Sequence, residues 1–184
     1  MSKYQIFTVA GALLLFMILY FGFDTIPQKQ KSLEKSRMLN VESTGISNLI
    51  KDAYTKMDEE QKSIIEAMNL DIEKSRLDTL KKIQVLKSLS GTWYEMGFPS
   101  IAGSYAEDIA LIEKTEGAWS MAGTTYAICV KNTEDIKIKD YCSKRAIKAF
   151  ESAISINPES IEHRVNHAIC YVDHPNQDNP MQGI

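Results

Sequence analysis

Three cysteines, three histidines, five prolines and nine glycines are all that 184 residues contain of these types. So few helix breakers favour long helices joined by short loops. No P-loop, GxGxxG, HExxH, GxSxG, CxxC or CxxCH motif occurs, which removes the common nucleotide-binding, zinc-protease, hydrolase, redox and c-type haem signatures. A basic excess is missing too, since the formal net charge is −3, and a nucleic-acid binder needs clustered positive charge. No segment is of low complexity. With no nucleophile and base at a recognisable spacing, the expectation is a non-enzymatic protein with no catalytic residue, no cofactor and no small-molecule substrate.

What the chain does have, at its start, is an uncharged apolar run. Residues 6–23, Ile-Phe-Thr-Val-Ala-Gly-Ala-Leu-Leu-Leu-Phe-Met-Ile-Leu-Tyr-Phe-Gly-Phe, number 18, close to the ~20 needed to cross a bilayer core. Tyr4 and Tyr20 sit near its ends, where amphipathic rings prefer the interface. The following Phe23-Asp24-Thr25-Ile26-Pro27 is a poor signal-peptidase site, so an uncleaved transmembrane anchor over residues 1–23 is expected. Two arguments on orientation conflict. Lys29, Lys31, Lys35 and Arg37 outnumber Lys3, which by the positive-inside count puts the body in the cytoplasm. A single N-terminal anchor nevertheless commonly exports a long following domain. The balance favours a bacterial inner-membrane protein with its soluble part in the periplasm, with the cytoplasm as the alternative.

Residues 24–43 are rich in Lys, Glu, Gln and Ser and suit a solvated juxtamembrane linker. From 44 to 88 the apolar residues follow helical spacing. Ile46, Leu49, Ile50, Ala53 and Met57 form one stripe. Ile64, Ile65, Met68 and Ile72 form another, on a helix starting within Asp58 to Ser63. A third helix starts at Ser75, with Asp78 three residues on as a capping-box-like pair, and carries Leu77, Leu80, Ile83, Val85, Leu86 and Leu89. No strict heptad persists, so a helical stalk or hairpin is expected and a long coiled coil is not.

The most informative stretch is residues 119–158. Trp119-x2-Ala122-Gly123-x2-Tyr126 is followed by Ala146-x3-Phe150-x2-Ala153-x4-Pro158. Small residues are needed where two helices cross and large ones where the pair meets its neighbour, and Pro158 ends a helix. In these positions the chain resembles the tetratricopeptide repeat family, with only Ala122 departing, where the family has Leu. The resemblance implies antiparallel helix pairs stacked into an α-solenoid that binds other proteins. The fold class expected for the whole chain is therefore all-α, with an N-terminal transmembrane helix, a helical hairpin and a tetratricopeptide-like array.

Within the full unit, residues 116–160, one feature departs from the family. Tyr126 and Ala146 are 20 positions apart where the family has about nine, an insertion of about 11 residues at 130–140. It is charged and is expected to form an extended loop. Cys129 and Cys142 bracket it and would face each other across an antiparallel pair, so a disulfide stapling the loop's base is expected, in keeping with an oxidising compartment. Upstream, Trp93-x2-Met96-Gly97 and Ala106-x3-Ala110 suggest a degenerate unit over 89–115, its first helix shortened to a stub at Phe98-Pro99-Ser100. Downstream, Ala168 and Tyr171 fit a partial unit over 161–184, where Asn179-Pro180 reads as a helix start. The array looks truncated within this last unit.

His163, His167, Cys170 and His174 share one helical face. Four ligands along a straight helix cannot close on one ion at ~2.0–2.3 Å, so His163, His167 and Cys170 are a weak metal-site alternative and no metal is expected. In the family the partner groove is lined mainly by the first helix of each unit, which nominates Ser120, Thr124 and Ala127, then Glu162, Asn166 and Ile169. The expected function is a membrane-anchored scaffold or adaptor recruiting protein partners to an integral membrane complex. The alternative is an accessory, chaperone-like client holder of a biogenesis or export machine.

Overall fold

In a computed structural model of the chain, the described residues are 4–5, 45–75 and 77–173. The apolar segment 6–23, the linker 24–43 and the helix start at Asn179-Pro180 lie outside them. The chain divides into two units, Met1–Glu42 and Ser43–Ile184, and the described architecture belongs to the second. Among the described residues there are seven helices and no strand, so the expected all-α class holds. No helix among them is long and apolar enough to cross a membrane.

The helices are α1 (Ile46–Lys56), α2 (Glu59–Lys74), α3 (Thr79–Glu95), α4 (Pro99–Glu113), α5 (Glu116–Asn132), α6 (Ile136–Ile156) and α7 (Ile161–Asp173). Several starts have a local cause. Asp58 and Gln61 form a reciprocal capping box at α2, with Gln61 N–H donating to Asp58 Oδ1 at 2.8 Å and Asp58 N–H to Gln61 Oε1 at 3.2 Å. Pro99 occupies the first turn of α4, where its missing N–H costs nothing. Thr115 accepts from Ala118 N–H, and Asp135 from Lys137 and Ile138 N–H. These caps satisfy donors that the first turn would otherwise leave unpaired.

From α3 onward each helix packs on the next, and α4–α6 and α5–α7 also touch. That sequential, next-but-one pattern is solenoid-like. Helix α4 is the most enclosed, burying Ser100, Ile101, Ala102, Gly103, Ala106, Ile109 and Ala110. One core joins α1 to α4: Leu49, Ala53, Met57, Ile65, Leu89, Trp93, Ile101 and Ala102, with Ile46, Ile50, Met68 and Ile72 packed against it. A second joins α5 to α7, comprising Tyr126, Cys129, Val130, Cys142, Ala146, Phe150 and Cys170.

Four expectations from the sequence need correction. The stretch 130–140 is not an extended loop. Its residues lengthen α5 and α6, leaving only Thr133–Asp135 between the helices. Asp135 is a strong N-cap, and Ile138 and Tyr141 pack against both cores, so the added residues gain more as helix than as solvated coil. The first helix of the degenerate unit is not a stub. Trp93 lies near the end of the 17-residue α3, and the chain turns at Gly97, whose φ of +84° suits glycine. Ser75 does not start α3. Its hydroxyl donates back to Ile72 O at 2.9 Å and it ends α2, while Asp78 caps α3 through Lys81 N–H at 3.0 Å. Finally, Ile64, Leu77 and Leu80 are not core residues. They are exposed at 42, 102 and 77 %: α2 turns Ile65, not Ile64, into the core, Leu77 stands in the turn between α2 and α3, and Leu80 is on the first turn of α3.

Candidate partner-binding surface

Two glycines set how closely α4, α5 and α6 approach. A Cβ on Gly123 would come within 2.9 Å of the Phe150 ring, and one on Gly103 within 2.6 Å of the Tyr126 ring. Both distances are far inside ordinary carbon contact. Each buried ring therefore seats on a neighbouring helix where no side chain stands. Tyr126, Ala122, Ala146 and Ala153 are fully buried and Phe150 nearly so. Trp119 is half-buried against Ala106, Ala122 and Ala149. The fingerprint residues thus occupy the helix crossings of α5 and α6. Gly103 escaped the sequence reading, although Ala102-Gly103 repeats the Ala122-Gly123 pair.

A polar cluster ties the same three helices together. Glu107 of α4 accepts from Arg145 Nη1 of α6 at 2.8 and 2.9 Å and from the Tyr126 hydroxyl of α5 at 3.0 Å. The Arg145 guanidinium also lies 5.5 Å from the Tyr141 ring centre, within cation–π range. Burial, then Tyr141 and Glu107, hold the Tyr126 hydroxyl protonated far above its usual range. Burial, followed by Glu107, pushes the Asp108 carboxyl up. Glu107 thus gathers bonds from α5 and α6 onto α4 and fixes the register of the three helices, while the buried Tyr141 hydroxyl has no hydrogen-bond partner. Sequence spacing gave no signal for this cluster, because its members lie 19 and 38 positions apart.

The nominated surface residues fall on α5 and α7, which touch each other. On α5, Thr124 is exposed and Ser120 and Ala127 are half-buried; on α7, Glu162 and Ile169 are exposed and Asn166 is half-buried. They sit on the flanks of their helices beside the buried faces. The structure brings the two triplets to neighbouring helices but gives neither a convergent charge nor an enclosed pocket.

Cys129 and Cys142 are joined as a disulfide, with Cα atoms 6.1 Å apart. It crosses from the last turns of α5 to the second turn of α6. Cys170 is a buried free thiol, donating to Asn166 O at 3.2 Å and pushed up to about 11 by burial, then by Asp173. His163 and His167 diverge from it. His163 Nε2 is 3.9 Å from Glu116 of α5, and His167 Nε2 is 3.7 Å from Glu151 of α6. These three side chains do not converge, and no group of three metal-ligating side chains occurs among the described residues. His174 lies outside them.

Ala168 and Tyr171, placed by spacing at the small and tyrosine positions of a next unit, are only half-buried. Tyr171 meets His167 edge-to-face at 5.2 Å. On the outer side of α7, Ile161, Val165 and Val172 are exposed at 73, 50 and 62 %. That face has no covering element among the described residues.

No protein-family model matches the chain, and no curated protein or solved structure matches it.

Proposed function

We propose that the chain is a non-enzymatic, membrane-anchored scaffold of tetratricopeptide type, which recruits protein partners to an integral membrane complex. The observation that carries this reading is the seating of Phe150 on Gly123 within the α5–α6 pair. It puts the fingerprint residues at the crossing where such a repeat needs them. Segment 6–23 serves as the anchor, and the soluble part faces the periplasm of a bacterium. The Cys129–Cys142 disulfide supports an oxidising compartment.

Partners dock across α5 and α7, with Ser120, Thr124 and Ala127 on one helix and Glu162, Asn166 and Ile169 on the other. A helix or extended peptide fits such a surface. The test is photo-crosslinking in intact cells from Thr124 and Ile169, with the exposed Lys148 on α6 as control. A stable membrane protein captured from the first two positions and not the third is the expected result. Crosslinks that are absent, or the same from all three, would sink the reading. The exposed Ile161, Val165 and Val172 favour a second reading, a client holder. It differs in predicting affinity for unfolded chains and none for folded membrane complexes.

A further inference from the structure

Helix α7 has two opposite faces that differ from an ordinary surface helix. Its inner face, with buried His163 and Cys170 and half-buried Asn166 and His167, packs against α5 and α6. At about 100° per residue, Ile161, Val165, Ala168 and Val172 fall on one stripe directly across the helix from that face. Ile161, Val165 and Val172 are exposed, and residues three and four apart on a helix are neighbours, so the stripe is continuous. Two exposed charges flank it. Glu162 and Arg164 lie about 80° to either side of its centre. The other charged or imidazole side chains of α7 face groups of the body, His163 towards Glu116, His167 towards Glu151 and Asp173 towards Lys131. Neither Glu162 nor Arg164 has an ion-pair partner among the described residues.

We propose that this outer face of α7 joins two copies of the chain as a parallel α7–α7 pair, with the twofold axis running along the helices. A twofold contact sets a patch against its own image, and an apolar stripe meets its image without stranding a charge. In the parallel pair the Glu162 flank of each copy meets the Arg164 flank of the other, so the same ion pair forms twice. An antiparallel pair sets like flanks together and puts Glu162 beside Asp173 of the other copy. Charge complementarity therefore selects a second copy in the parallel arrangement. The bodies do not collide, because α5 and α6 lie on the opposite side of α7. The contact runs along about 20 Å of one helix, less than a standard interface, so the dimer is weak. It goes beyond the scaffold reading and does not rest on it.

The test is disulfide trapping in the full chain, purified in mild detergent and oxidised with copper–phenanthroline. Cys170 is buried, so the wild type sets the background. Ile161→Cys, Val165→Cys and Val172→Cys should each form a covalent dimer well above that background. Lys148→Cys, exposed on α6, should not. Each residue of a parallel pair meets its own image at both ends of the stripe, so a mixture of Ile161→Cys and Val172→Cys should give less product than either alone. With Val165→Cys as reporter, Glu162→Arg or Arg164→Glu should slow trapping roughly fivefold, and the two reversals together should restore it. Circular dichroism confirms that each variant is folded. Trapping no greater than wild type at all three positions overturns the proposal, and is the result expected if unfolded clients occupy this face instead. So does a mixture that outdoes both of its components, which marks an antiparallel pair, or a double reversal no faster than the single ones. Loss of the Thr124 and Ile169 crosslinks to a membrane protein would sink the scaffold reading and leave this one intact.

Discussion

Replacing Gly123 by Ala should destabilise the protein, against the usual direction of that substitution. Inside a helix, Gly to Ala ordinarily gains about 0.5–1 kcal/mol by reducing backbone entropy in the unfolded chain. At Gly123 the new Cβ would stand 2.9 Å from two Phe150 ring atoms and 3.0 Å from a third. Carbon atoms need about 3.5 Å or more, so the ring would have to move by roughly 0.5–1 Å. It has little freedom to do so, since Phe150 is 1 % exposed and shares a core with Tyr126, Cys142 and Ala146. Overpacking of this kind costs about 1–3 kcal/mol. The net expectation is a loss of about 1–2 kcal/mol, or a Tm lower by roughly 2–8 °C. Gly91 is the control. It lies inside α3, a Cβ there meets nothing within 4 Å, and Gly91→Ala should gain about 0.5–1 kcal/mol. Urea unfolding followed by circular dichroism measures both. Adding Phe150→Leu to Gly123→Ala should recover stability, with a coupling of about 0.5 kcal/mol or more. If Gly123→Ala is as stable as wild type, or the double variant is simply additive, the close approach of α5 and α6 is wrong.

Three further outcomes are expected. Reducing the Cys129–Cys142 disulfide, or replacing both residues by Ser, should cost about 3 kcal/mol for a closed loop of this size and speed amide exchange over 130–141; an unchanged unfolding midpoint with and without reductant would contradict it. Glu107→Ala should cost about 1.5–3 kcal/mol, because it strips Arg145 and the buried Tyr126 hydroxyl of their shared acceptor, while Glu107→Gln, which keeps the Tyr126 contact, should cost less in the same urea titration. Cys170, raised from 9.0 to about 11, should resist iodoacetamide at pH 8 until the protein is denatured. Because the fold favours its neutral form, that contribution is complete below about pH 9 and is lost as pH rises towards about 11; an ultraviolet titration of the thiol gives the midpoint, and one near 9 would show that Cys170 is not buried.

Much of the helical layout is written in local patterns. Periodicity placed α1 with its buried Leu49 and Ala53 and put the start of α2 within Asp58 to Ser63, where the structure shows an Asp58–Gln61 capping box. The fingerprint placed the α5–α6 pair, because Gly, Ala and aromatic positions at a helix crossing leave a periodic trace. Failures came where two local signals competed. Ser75 and Asp78 are both good N-caps, and only the packed chain decides which one is used. The charged stretch 130–140 had helix formers and loop-like polarity in equal measure. Its helical state depends on Ile138 and Tyr141 finding two cores, which no window of sequence reveals. Of the surface residues, spacing chose positions on α5 and α7 that are accessible, but spacing has no term for shape or charge.

The sequence by itself determined that this protein is built from helices, with an apolar run at its start, no recognisable catalytic motif, and one tightly crossed helix pair. These follow from periodicity, composition and the steric need for small residues at a crossing, all of which act over a few turns of chain. Only the tertiary structure decided that Glu107, Tyr126 and Arg145 meet, that Gly103 receives the Tyr126 ring, and that Leu77 and Leu80 stay outside the core. Those facts depend on which distant surfaces come together. Burial is a property of neighbours, and neighbours far apart in the chain leave no mark on local spacing.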